Sequence, residues 1–177
     1  MEQIHFTGIS KEDKYKNLLP QLHALLLDEK DRIANYANVC AALQSIFNFH
    51  WIGFYRVVED ELVLGPFQGP VACTRIKKGK GVCGSAWEQK QTISVPNVHE
   101  FEGHIACSPL SNSEIVVPIF VNNELVAVLD VDSSALDYFD AIDQEYLETI
   151  NKLQAYYEKF KNKWSKIVAS RQEDVEK

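Results

Sequence analysis

Residues 115–131 read IVVPIFVNNELVAVLDV. Two strand-length runs rich in β-branched residues flank Asn122-Asn123. The pattern predicts an antiparallel hairpin, Ile115–Val121 and Glu124–Val131, closed by a tight turn at the two asparagines. Asp130 and Asp132 stand two residues apart at its far end. Side chains at that spacing point to one face of a strand, and Asp is depleted in strands, so the pair calls for a reason. The bland reading is solvated charge at a strand end, with Ser133-Ser134 starting a turn. A register that pairs Val121 with Glu124 sets Glu114 opposite the neighbourhood of Val131, so three carboxylates are candidates to gather in one place. Crowded like charges raise a carboxyl pKa and keep a proton available near neutral pH.

Working outward, Trp51–Val58 and Leu62–Leu64 read as a second hairpin broken at Glu59-Asp60. Trp51 and Tyr55 lie four residues apart, hence on one face, where they wall an apolar pocket or simply fill core. Gly65–Pro70 reads as a loop or irregular edge. Ala72–Ile76 is a candidate short strand, Lys77–Gly81 a basic turn, Val82–Gln91 a short helix and Thr92–Val95 a short strand. Asn97–Ser113 has no clear period and is expected to be a long surface loop, a class that often carries function. Before the sheet, Ser10–Glu29 and Asp31–Phe47 show helical spacing, with Ser10 as N-cap and a kink or restart expected at Pro20. The second stripe comprises Ile33, Tyr36, Ala37, Cys40, Leu43, Ile46 and Phe47, which makes Cys40 a core residue. A last helix of about 140–168, capped by Asp140, precedes a polar tail. Helix, helix, antiparallel strands with one helical insertion, then helix, describes an α+β domain with its helices on one face of the sheet.

At 177 residues the chain suits one well-filled domain, taken here as 1–177. Its net charge of −7 argues against general binding to nucleic-acid backbones. No apolar run approaches the ~18 residues that span a bilayer, and MEQIHFTGIS lacks the pattern of a signal peptide. The expected location is the cytoplasm, where clustered cysteines point to metal binding or redox chemistry.

Three of the four cysteines fall within 73–107, in GPVACTRI, GKGVCGSAW and EGHIACSP. Each stands beside small or turn-forming residues instead of on an apolar stripe, so each is a candidate for chemistry. Cys83 sits at a helix entry after Lys77, Lys78 and Lys80, which would favour a thiolate. Arg75 would do the same for Cys73, and His104 lies three residues before Cys107. Two other readings are weaker. Gly79–Gly84 matches G-x-G-x-x-G, but no βαβ unit surrounds it. Cys73, Cys83, Cys107, His99 and His104 contain no close ligand pair of the kind zinc sites use.

With these phrases on the page, the chain resembles the free methionine-(R)-sulfoxide reductases, stand-alone GAF-domain enzymes. The match runs from WIGFY at Trp51 through the three cysteine phrases to VLDVDS, roughly half the chain. The resemblance implies a GAF-like antiparallel sheet and reduction of free methionine-(R)-sulfoxide. It implies that Cys107 is the nucleophile and that Cys73 and Cys83 are the other redox cysteines. Some members lack the cysteine at the position of Cys83, which favours Cys73 as the resolving partner. The resemblance also implies that Trp51, Tyr55, Glu114, Asp130 and Asp132 bind substrate. Thioredoxin is the implied external reductant, with no organic cofactor or metal, and a homodimer is expected. The alternative is a GAF sensor that binds a small molecule or reports redox state without turnover.

Overall fold

The computed structural model describes residues 10–27, 29–103 and 108–153. Among them, β1 (Trp51–Val58), β2 (Glu61–Gln68), β3 (Arg75–Lys77), β4 (Ile93–Val95), β5 (Ser113–Val121) and β6 (Glu124–Ser133) form one antiparallel sheet in the order β3-β2-β1-β6-β5-β4. Three helices cover one face: α1 (Lys11–Leu27), α2 (Arg32–Phe47) and α4 (141–153). There Ile52, Phe54, Ile115, Val117, Leu129 and Val131 of the sheet pack on Leu22, Leu43, Leu147 and Ile150 of the helices. Because strand side chains alternate, the intervening positions Tyr55, Val116 and Val128 face the other way. They meet α3 (Gly81–Gln89) through Val82, Ala86 and Trp87. The expected α+β class and the grouping of terminal helices on one face both hold. The helical insertion takes the opposite face.

Local chemistry explains the helix ends. Ser10 Oγ accepts from the amide of Asp13 at 3.1 Å and donates to its carboxylate at 2.6 Å, which satisfies one free N–H at the start of α1. The same helix runs unbroken through Pro20, whose position is exposed, so the expected restart does not occur. Asp31 caps α2 by accepting from Ile33 and Ala34, and Asn48 ends it in the left-handed conformation at φ 52°. The core stripe of α2 is rotated from the expected one: Ile33 and Ala37 are exposed, while Val39 and Ala42 are buried. Cys40 is fully buried, as expected, and its thiol donates to the Pro66 carbonyl. Asp140 caps α4 by accepting from Ile142 and Asp143. The fully buried Asp143 accepts from the Tyr15 hydroxyl at 2.9 Å and pairs with Lys11, tying α1 to α4. The stretch expected to carry the last helix on to about 168 lies outside the described residues.

Two irregularities set the register. First, β2 continues to Gln68 through the stretch expected to be a loop. An extra residue of β2 at Gly65-Pro66 is absorbed by a bulge opposite Phe54, between the pairs Gly53↔Phe67 and Tyr55↔Leu64. A proline fits there because it interrupts no ladder bond on its other side, where β3 pairs only with Glu61, Leu62 and Val63. Second, Val121 pairs with Glu124 as expected, but Ile119 pairs with Ala127 and Phe120 with Leu125. Val126 is therefore an extra residue in β6. From there on the ladder is shifted by one, and Glu114 pairs with Asp132 in place of Val131. The short strand expected at Ala72–Ile76 is confined to Arg75–Lys77. Among the described residues no helix is long and apolar enough to cross a membrane.

Candidate active site

The shifted register assembles the site. Glu114, Asp132 and Trp51 lie side by side across β5, β6 and β1, and Val116, Asp130 and Gly53 form the next row. Residues directly paired across strands share a face, so all three carboxylates point away from the helical core. An unbulged hairpin would have turned Glu114 to the opposite face, since a slip of one residue reverses every side chain. The sequence reading brought the three acids together through a register that is off by one. The bulge that absorbs Val126 is what keeps the three acids on one face.

Aromatic side chains wall this face. Trp51 stacks on Phe67 with ring centres 5.5 Å apart and lies 5.9 Å from Tyr55. The Trp51 indole donates to the Pro70 carbonyl at 3.0 Å, and the Tyr55 hydroxyl donates to the Cys73 carbonyl at 2.9 Å. These bonds hold 70–73 over the sheet. Gly53 permits the arrangement, because a Cβ there would stand 2.3 Å from Trp51 Cη2. The pocket is lined by Trp51, Tyr55, Cys83, Glu114, Asp130 and Asp132, together with Lys80, Ser108 and the buried Ser111. Trp51 and Tyr55 are both wall and core, so the two readings of that pair are compatible.

Burial dominates the electrostatics. It pushes the Glu114 carboxyl well above the ordinary range, and the charges of Asp130 and Asp132 add to the effect. Asp130 is also raised, first by burial and then by Asp132, while hydrogen bonds from Cys83 and Glu114 partly offset the rise. The hydrogen bond between the two raises Glu114 and lowers Asp130, so of the pair Glu114 is the one favoured to carry a proton. Asp132 is pushed up to about 6 by burial, against the opposing hydrogen bond from Ser111. Asp130 is 7% exposed, and among the described residues its buried Oδ1 has no hydrogen-bond partner.

The cysteines divide. Cys73 is disulfide-bonded, whereas Cys40 and Cys83 carry free thiols. Cys83 does stand in the first turn of α3, but it is 3% exposed, and the helix turns it onto the acids. Burial, then the charges of Asp130 and Glu114, push its thiol well above the usual value. The expectation of a thiolate stabilised by lysines is therefore overturned, because desolvation and negative neighbours outweigh a helix N-terminus. Arg75 does not serve Cys73 either, since it pairs with Glu61 at 2.9 Å. Cys107 and His104 lie outside the described residues. Ser108, next in sequence to Cys107, lines the pocket and pairs with His50 at 2.9 Å. Of the suggested zinc ligands, Cys73 is in a disulfide and His99 is exposed and bonded to Asn112.

The glycines of Gly79–Gly84 build a turn instead of a dinucleotide cradle. Gly79 and Gly81 have positive φ, and a Cβ on Gly84 would meet the Lys77 carbonyl at 2.4 Å. The tight turn brings Lys80 and the start of α3 to the pocket. No side chain caps that helix start, which leaves its first amides facing the rim. Sequence reading missed Lys80, Ser108, Ser111 and Gly53 as parts of the site. Only Lys80 carried a signal, as the basic residue before a candidate helix.

Residues 34–152 match the family model for the GAF domain. The GAF domain-containing protein A of Dictyostelium discoideum is 58% identical over 153 residues, which cover 86% of this chain and 97% of that protein. The free methionine-R-sulfoxide reductase of Escherichia coli is 42% identical over 143 residues, 80% of this chain and 87% of that enzyme. The structure of the free methionine-R-sulfoxide reductase from Neisseria meningitidis in complex with its substrate superposes with a TM-score of 0.87 at 46% identity, covering 89% of this chain and 96% of that one. Matched over this length in sequence and in fold, the chain belongs to the GAF-domain family and, within it, to the free methionine-R-sulfoxide reductases.

Proposed function

We propose that this protein reduces free methionine-(R)-sulfoxide to methionine, with Cys107 as nucleophile and Cys73 as resolving thiol. The observation that carries the reading is the pocket in which the buried Glu114 and Asp130 and the half-buried Asp132 lie with Trp51 and Tyr55, whose hydroxyl is bonded to the backbone of the disulfide-bonded Cys73. A free amino acid presents an ammonium, a carboxylate and, at the far end, a methyl sulfoxide. The unpartnered Oδ1 of Asp130 and the carboxyl of Asp132 suit the ammonium. Lys80 and the uncapped start of α3 suit the carboxylate. A peptide-bound residue has neither charge, so this pairing selects the free amino acid. Trp51 and Tyr55 enclose the methyl group.

Attack on sulfur needs a protonated oxygen, and Glu114 is the group that holds a proton in the pocket. The Cys107 thiolate attacks the sulfoxide sulfur as the oxygen takes that proton. Oxygen is transferred formally to Cys107, which becomes a sulfenic acid, and methionine leaves. The Cys73 thiol then condenses with the sulfenic acid, releasing water and forming a disulfide. Exchange with a thioredoxin-type dithiol restores both thiols and the proton inventory. Cys83 serves as a hydrogen-bond donor to Asp130 in this scheme, and no organic cofactor or resident metal takes part.

The test is turnover of free methionine-(R)-sulfoxide with thioredoxin, its reductase and reduced nicotinamide nucleotide, followed by nucleotide consumption. Cys107→Ser is expected to abolish methionine release in a single turnover. Cys73→Ser is expected to keep the first release and stop recycling. Binding of the sulfoxide without turnover would replace this reading with that of a sensor.

A further inference from the structure

We propose that the acid pocket is also a binding site for one soft divalent cation, zinc foremost, held by Cys83, Glu114 and Asp130 in competition with the substrate ammonium. The sulfur of Cys83 and one carboxylate oxygen from each of Glu114 and Asp130 all lie within 4.8 Å of one another, and all three residues are buried. Around a tetrahedral zinc, with Zn–S of about 2.3 Å and Zn–O of about 2.0–2.2 Å, such atoms sit roughly 3.3–3.6 Å apart. The three ligands therefore need to close by up to about 1.5 Å. They come from three separate elements, α3, β5 and β6, so the sheet and the inserted helix both contribute to the site.

An acidic cluster alone would not make a site. The independent observation is Asp130 Oδ1, a buried acceptor with no hydrogen-bond partner among the described residues, on a side chain 7% exposed that belongs to the pocket lining. A buried oxygen of this kind costs about 1–3 kcal/mol if left unmatched, so it marks a place for a cation. The ligand chemistry then selects which cation. Calcium and magnesium require six or more oxygen ligands, whereas one thiolate with two carboxylates suits zinc or cadmium. On binding, the metal replaces the protons that Cys83 and Glu114 share with Asp130.

Binding by the metal alone does not depend on the substrate reading; the competition with substrate rests on it. The full chain is oxidised, so that Cys73 remains in its disulfide, freed of metal and titrated with cadmium and separately with zinc. Cadmium is read by the ultraviolet sulfur-to-metal charge-transfer band and zinc by calorimetry. The expected result is one equivalent bound with a thiolate band. Cys83→Ser should lose the band and weaken zinc by at least ~10-fold, a loss of about 1.4 kcal/mol. Cys40→Ala should leave both unchanged, since Cys40 is buried in the helical core. Asp130→Asn, which keeps the shape of the pocket, should also weaken zinc by at least ~10-fold. Absence of saturable binding, a band that survives Cys83→Ser, or full affinity in Asp130→Asn would overturn the site. Zinc that binds as described but is not displaced by methionine-(R)-sulfoxide would overturn the competition and leave the metal site standing.

Discussion

Gly53→Ala tests whether the aromatic wall sets the pocket. The added Cβ would lie 2.3 Å from Trp51 Cη2, 2.8 Å from Trp51 Cζ3 and 2.6 Å from Phe67 Cβ. Carbon atoms rest at about 3.5–4.0 Å, so the indole must retreat by roughly 1 Å or more. It cannot do so freely. Phe67 stacks on it at 5.5 Å, and its Nε1 is bonded to Pro70. Overpacking of this kind costs about 1–3 kcal/mol. For a chain of this size that corresponds to a fall in Tm of roughly 2–10 °C. The catalytic cost should be larger in proportion, since a displacement of about 1 Å in a positioning group can lower the rate by ~100-fold. Thermal unfolding and steady-state kinetics with free methionine-(R)-sulfoxide measure the two effects separately. The expected outcome is a modest loss of stability with kcat/KM reduced by at least ~30-fold, mostly through KM. Wild-type kcat/KM in a measurably destabilised Gly53→Ala protein would show that the Trp51 ring does not shape the substrate site.

Three further outcomes are expected. Asp132 is raised from 3.8 to about 6 in the folded protein, so between those values the native state binds more protons than the unfolded chain, and stability falls as pH rises through about 4 to 6. Asp132→Asn should therefore raise the urea midpoint at pH 8, by up to about 3 kcal/mol in stability, with the advantage gone near pH 4; equal midpoints at pH 8 would remove the argument. Deleting Val126 should close the bulge and leave Glu114 opposite Asp132, giving near-native far-UV circular dichroism with activity within about tenfold of the parent, and a folded deletion variant with activity down by ~100-fold or more would refute the register argument. Tyr15→Phe should cost about 1–3 kcal/mol in chemical unfolding, because it strips a partner from the fully buried Asp143, and a smaller cost would mean that Lys11 and the Asp140 amide satisfy that carboxylate without it.

The elements were legible in the sequence because each had its own punctuation. Asn122-Asn123 marked one turn, Glu59-Asp60 another, and Ser10, Asp31 and Asp140 marked helix starts that the structure uses. Register was not legible. A bulge at Val126 leaves no trace in a run of β-branched and apolar residues, since leucine, valine and alanine suit either face until packing decides. The same limit applies to Gly65-Pro66, where turn-forming residues sit inside a strand because the neighbouring strand ends before them. The protonation state of Cys83 was misread for a related reason. Sequence shows which charges are near along the chain, but burial and the acids contributed by β5 and β6 are visible only in three dimensions. Lys80 and Ser111 enter the site through the same long-range approach.

The alternation of the central strands has a consequence for how this molecule can change. Ile115, Leu129 and Val131 anchor the helical side, while their immediate neighbours Glu114, Asp130 and Asp132 serve the pocket. Substitutions can therefore retune recognition without touching the packed side, provided that the count of residues between them is kept. Insertions and deletions have no such freedom. A lineage built on this scaffold is open to new ligands by point replacement and closed to them by changes of strand length.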